Sequence, residues 1–194
     1  MIATLVDHLR GLTRFSGREA PKPFWTWVAI NIGLQMVAAM MIIGPMITDA
    51  IMRVESFADA HPNQVIRSYG PGSYSVQVHG YHPELIPDFS GVSSAFGIAA
   101  LVTVLLLAAS VARRLHDTDR NGAWGLMPLP FLAIGLAVMP RLFASMGDGQ
   151  DFNLNLFFGL FINNLVYLAT LGVLILLCAK SGTPDENRFG PPPV

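Results

Sequence analysis

The densest group of chemistry-bearing residues is Arg113-Arg114-Leu115-His116-Asp117-Thr118-Asp119-Arg120. Its residue types admit three kinds of chemistry. His116 beside Asp117 suggests a base with its orienter. Three arginines suggest an anion site. Mixed signs in so short a run suggest an ion network. The first is the weakest, because adjacent residues on a helix point about 100° apart and do not face each other. No Ser or Cys nucleophile in an elbow context accompanies them. Cys178, the one cysteine, lies among apolar residues and reads as packing rather than as a reactive thiol. A membrane-embedded hydrolase would carry ionisable groups within its apolar stretches, and this chain has none there. No enzyme activity, cofactor or metal is therefore expected.

The candidate site consists of Arg18, Arg113, Arg114, His116, Asp117, Arg120 and Arg188. As a structural network, Arg113, Arg114 and Arg120 would face Asp117 and Asp119, with Arg18, Arg188, Asp185 and Glu186 joining. As a recognition site, the same arginines would hold anionic lipid headgroups, each worth about 1 kcal/mol near a membrane surface. Arg114 and Asp117, three residues apart, share a face if a helix runs through them. His61, His79 and His82 form a weaker group. Their spacing fits no recognised ligand pattern, and they read as solvated loop residues.

The elements that must position these residues are apolar. Of 194 residues 52% are hydrophobic and only 13% charged, about half the usual charged share of a globular domain. That balance excludes disorder and a nucleic-acid-binding domain, and one cysteine excludes a disulfide scaffold. Four stretches lack Asp, Glu, Lys and Arg altogether: Phe24 to Thr48, Phe89 to Ala112, Asn121 to Pro140 and Phe152 to Ala179. Each is long enough for the ~20 residues that cross a hydrocarbon core. The expected fold is an all-α membrane protein with four transmembrane helices at 24–48, 89–112, 123–142 and 156–179. Pro128, Pro130 and Pro140 kink the third. The first reads as an uncleaved signal anchor, since it is longer than a typical signal-peptide core.

Nine of the twelve Lys and Arg residues fall on one side of these spans. They occupy the N-terminal segment (1–23), the motif loop (113–122) and the tail (180–194). That side is assigned to the cytoplasm, with both termini there. Trp25, Trp27 and Trp124 are expected at its interface. The other side holds a periplasmic loop at 49–88 and a shorter one at 143–155. In the longer loop Val65 to Tyr69 and Tyr74 to Val78 flank Gly70-Pro71-Gly72 and read as a small β-hairpin. Ile2, Leu5, Val6, Leu9 and Leu12 follow helical spacing, so Met1 to Phe15 reads as an amphipathic helix lying on lipid or packed on protein. Gly190-Pro191-Pro192-Pro193-Val194 reads as an extended tail.

Three segments are distinctive together. Phe15-Ser16-Gly17-Arg18 leads to Phe24-Trp25. Ala112-Arg113-Arg114-Leu115-His116-Asp117-Thr118-Asp119-Arg120-Asn121-Gly122 is followed by Trp124. Gly182-Thr183-Pro184 is followed by Asn187-Arg188-Phe189-Gly190. In this order around four spans, from about Phe15 to Pro193, the set resembles a bacterial inner-membrane family catalogued as domain of unknown function 805. The resemblance implies a plasma-membrane protein with cytoplasmic motifs, and it implies neither a reaction nor a cofactor. The chain departs from the family pattern at Pro21, where a basic residue is usual, and at Pro23, where an acid is often found. It also departs at Asp119, where a small residue, commonly glycine, stands, and at Asp185-Glu186 before Asn187. The outside loop is also longer than expected.

The function this supports is a membrane-embedded interaction or scaffold protein. Its expected partners are the lipid bilayer, anionic lipid, and a membrane-protein partner or further copies of itself, and not nucleic acid. The alternative is a small oligomeric transporter or channel subunit, with Asn31, Gln35, Asn163 and Asn164 as polar groups within the spans.

Overall fold

The computed structural model describes residues 2–87, 89–147 and 153–193. Five helices follow in order: α1 (Ile2–Arg10), α2 (Pro21–Ala60), α3 (Phe89–Asp117), α4 (Leu129–Gly147) and α5 (Leu154–Ala179). A two-stranded sheet, β1 (Val65–Gly70) and β2 (Ser73–Val78), lies between α2 and α3. Four helices are long and apolar enough to cross a membrane. α2 packs against α3, α3 against α4, and α4 against α5. The start of α2 and the ends of α3 and α5 meet in one core of Phe24, Leu115, Leu174 and Cys178. This is the basic end of the bundle; the hairpin lies at the other.

The bundle wears its apolar residues outside. Met40 and Met41 are 71% and 73% exposed, and Ile98 and Leu176 about as much. Such a surface suits hydrocarbon and would be an aggregation liability in water. Polar side chains tie the helices together inside it. Trp27 Nε1 donates to Leu106 O at 3.0 Å, Gln35 Nε2 to Ala99 O at 3.0 Å, and Asn163 Nδ2 to Phe131 O at 2.9 Å.

Helix lengths depart from the expected spans at the charged ends. α2 continues through 49–60, a stretch expected to be loop. Its charges there are compatible with a helix: Asp49 pairs with Arg53 one turn on, at 2.8 Å. Its apolar residues Phe57 and Ala58 are buried. At the helical rise of 1.5 Å, the whole helix is about 60 Å long, twice a hydrocarbon core. α3 likewise runs through Asp117 instead of stopping at 112, because its charges are paired, Arg114 with Asp117 on the helix and Arg113 with Glu19 beside it. The first charge ends an apolar run without ending a helix.

The third span is built differently from a kinked helix. Gly122–Leu126 forms a 3-10 turn, Pro128 follows it, and α4 begins at Leu129. Two of the three prolines therefore start a helix, where a missing N–H costs little, and Pro140 alone lies inside it. A Cβ on Gly122 would lie 2.9 Å from Ala112 Cβ, and one on Gly125 2.9 Å from Val111 Cγ1. The two glycines let the turn lie against α3. α4 extends to Gly147, into the loop expected at 143–155; 148–152 of that loop lie outside the described residues.

The hairpin pairs antiparallel from Val65↔Val78 to Gly70↔Ser73. Pro71 and Gly72 make the turn, Gly72 at φ +74°, the residue pair of a type II turn. α1 is shorter than the expected helix and stops at Arg10. It packs on protein: the His8 ring stacks on Trp27 at 5.0 Å. Trp27 is buried rather than interfacial, at 2% exposure.

At the hairpin end, burial concentrates on Phe57, whose ring meets His61 at 4.5 Å and His82 at 4.4 Å. The strands themselves are almost wholly exposed. Replacing Val65–Val78 by a Gly/Ser linker is therefore expected to cost no more than about 1 kcal/mol. Phe57→Ala is expected to cost about 2–4 kcal/mol, toward the lower part of the range for buried phenylalanine. Melting temperatures in one detergent rank the two; a larger loss from the linker would contradict this packing.

Candidate functional site

The site forms where three chain segments cross the last turn of α3. The first is the strap 15–20 that leads into α2. Gly17 takes φ +88° within it, and Pro21 begins α2 at the position where proline is tolerated. The strap is held by Glu19 N–H donating to Arg113 O at 3.2 Å. The other two segments are the end of α5 and the tail beyond it.

Asp117 is the centre. It is 2% exposed and accepts from two guanidinium groups. Arg18 approaches its carboxylate at 2.9 Å, and Arg114, three residues back on the same helix, forms the other ion pair. Arg18 and Arg114 side chains are 1% and 0% exposed. Each guanidinium also caps a helix. Arg18 donates to Asp117 O, at the C-terminus of α3, and to Thr183 O and Asp185 O in the tail. Arg114 donates from Nε to Cys178 O at 2.8 Å and from Nη2 to Lys180 O, at the end of α5. Terminal carbonyls of a helix lack intrahelical donors and carry partial negative charge. The two arginines supply both donors and charge.

Glu19 forms a second centre. Arg113 pairs with it at 2.8 Å, Ser110 Oγ donates to it at 2.7 Å, and His8 Nε2 lies 2.8 Å from it. Arg113 also donates to Gly11 O and Arg14 O. Through Glu19, α1, the strap and α3 become one unit. Arg18, Arg113 and Arg114 face only two buried carboxylates, and the negative ends of α3 and α5 offset the remaining positive charge.

The expected pairings are corrected in part. Arg113 turns to Glu19 and not to Asp117 or Asp119; Asp117, one turn further along the same helix face, is already taken by Arg18 and Arg114. Arg120 makes no ion pair among the described residues; it reaches Thr118 Oγ1 at 3.5 Å. Asp185 contributes its backbone carbonyl, and Glu186 joins no ion pair among the described residues. Arg188 does pair with Asp119, at 3.1 Å, in solvent. His116 is not oriented by Asp117, whose carboxylate partners are Arg18 and Arg114. Its Nδ1 lies 3.1 Å from Gly17 O, and its ring stacks on Phe189 at 3.8 Å between centroids. Trp124 is half exposed. Sequence reasoning overlooked Glu19, Ser110 and His8. The available signal was that Glu19 is the one acid between Asp7 and Asp49, next to Arg18.

The family described as "Protein of unknown function (DUF805)" matches residues 12–191. The chain belongs to this family. No curated protein and no solved structure matches it. The matched region contains all three motif segments, and their meeting point is the clamp around Asp117. Two positions in these segments acquire physical reasons here. Asp119 has φ +57°, and Arg120 N–H donates to Leu115 O at 2.9 Å, the long-range bond of a left-handed helix cap. Glycine is the residue best suited to that position. Gly182 lies against Asp117: a Cβ there would sit 2.1 Å from Asp117 Oδ2.

Two predictions follow from this geometry. Arg114→Ala and Asp117→Ala are each expected to cost about 3–5 kcal/mol, the range for stranding one partner of a buried pair. The double variant is expected to lose clearly less than the sum in a thermal-denaturation cycle; additive losses would remove the coupling. Gly182→Ala is expected to destabilise by about 1–3 kcal/mol through overpacking, because two arginines hold the carboxylate it would displace. A neutral Gly182→Ala in the same assay would show that Asp117 is free to move.

Proposed function

We propose that this DUF805 protein is an integral protein of the bacterial inner membrane. In this reading it crosses the membrane four times with both termini in the cytoplasm. It serves as a scaffold or interaction protein and not as an enzyme. The exposed apolar flanks of the four helices and the concentration of Lys and Arg at one end support the placement. The observation that carries the role is the saturation of the motif. Arg18, Arg114 and Asp117 are buried and spend their hydrogen bonds on each other and on helix ends. These groups build a rigid platform at the cytoplasmic face. Contact with anionic lipid then falls to cations on the platform's outside: Arg10, Arg14, Lys22 and Lys180, all exposed.

Reporter fusions after Asp59, Asp119 and Val194 test the placement. A periplasmic signal is expected at Asp59 and cytoplasmic signals at the other two; any reversal defeats the topology. Native mass spectrometry of the purified protein tests the role. Acidic lipid is expected to remain bound to Arg114→Lys and to be lost when Arg10, Arg14, Lys22 and Lys180 are all changed to Gln. The opposite pattern would make the buried arginines the lipid site.

A further inference from the structure

At the other end of the bundle, toward the hairpin, all four long helices line a half-open cavity of about 440 Å³. Its walls are apolar and rich in aromatic rings. Phe89 of α3 and Phe143 of α4 stack across one side at 4.6 Å. Four side chains bring polar atoms to it: Ser93, Asn163, Asn164 and Tyr167. Asn163 is committed to Phe131 O. The Ser93 hydroxyl is buried and has no hydrogen-bond partner. The Asn164 amide and the Tyr167 hydroxyl make no hydrogen bond among the described residues either.

A hydroxyl buried without a partner, as in Ser93, is a costly arrangement, since hydrocarbon supplies no water to compensate; Tyr167 is half-buried and Asn164 exposed beside it. Neighbouring amides show that the fold can satisfy such groups, since Gln35 and Asn163 both bond across to another helix. Among the described residues no Asp, Glu, Lys, Arg or His lines the cavity, and such a wall favours an uncharged occupant. The size and the few polar groups in an apolar wall match a small-molecule site.

We propose that this cavity binds an uncharged, mostly apolar molecule bearing carbonyl or hydroxyl oxygens, held by hydrogen bonds from Ser93, Asn164 and Tyr167. Two membrane sources share that chemistry, a quinone ring and a diacylglycerol. The stacked aromatic wall suits the flat ring. The site lies away from the Asp117 clamp, so its test can fail while the scaffold reading stands.

The test uses the full chain in detergent, with a short-chain ubiquinone, dioctanoylglycerol and, as apolar control, butylbenzene. Binding is read as a saturable shift in melting temperature and as a one-to-one adduct by native mass spectrometry. At least one oxygen-bearing probe is expected to bind about tenfold or more tightly than the control, as one or two added hydrogen bonds provide. Which of the two binds identifies the source. The Ser93→Ala/Asn164→Leu variant is expected to lose that preference while melting no lower than the parent, because it removes unsatisfied groups. Should that variant not fold, Gly135→Leu, which fills the cavity from α4, is expected to abolish the adduct. Absence of any saturable binding, equal binding of the control, or full affinity in both variants would overturn the proposal.

Discussion

One carboxylate between two guanidinium groups holds the basic end together. Asp117 sits on the last turn of α3, Arg114 one turn before it, and Arg18 on a strap from the far side of the sequence. A buried charge is tolerable only when it is paired and hydrogen-bonded. That requirement makes the three residues interdependent, and it also recruits backbone. Both arginines place their remaining donors on carbonyls at the ends of α3 and α5 and in the tail. The ends of two helices, the strap before α2 and the tail after α5 are thereby fixed relative to one another.

The demand on geometry propagates outward. Gly182 must lack a side chain because the carboxylate occupies that space. Thr183 N–H donates to Asp117 O at 2.9 Å and Asn187 Nδ2 to His116 O at 3.0 Å, so the tail finishes the cap that α3 begins. Phe189 covers His116, and Arg188 lies 4.9 Å over the Phe189 ring. The Glu19 centre repeats the logic about one turn earlier on α3, with Arg113, Ser110 and His8 converging on one acid. Apolar packing contributes beneath both centres, but in hydrocarbon it offers no solvent-driven preference for one helix arrangement over another. Directional polar contacts at the helix ends supply that preference.

The opposite end is organised differently. It relies on a small aromatic cluster around Phe57, an exposed hairpin and a cavity whose polar groups are incompletely satisfied. One end of the bundle is thus held by a dense polar network and the other by a few aromatic contacts. A bundle with one densely tied end and one loosely tied end is the physical picture these contrasts give.

The amino-acid sequence by itself determined the four apolar helices, the basic asymmetry, the hairpin and the family, because each rests on local composition, spacing or short motifs. Hydrophobic runs of membrane-spanning length need no tertiary partner to be read. The pairing Arg114–Asp117 was legible for the same reason, as a three-residue spacing on one helix. Only the tertiary structure decided which acid each arginine takes. Arg18 lies 99 positions from Asp117 and Arg113 lies 94 from Glu19, and no local rule spans such distances. It also decided where helices end, since paired charges let α2 and α3 run on past the last apolar residue. Trp27 was placed at an interface by its type and buried by its neighbours. Asn163 and Asn164 are adjacent and alike in sequence. Asn163 finds a carbonyl across the helix interface while Asn164 stays exposed, because a 100° step around α5 gives them different surroundings.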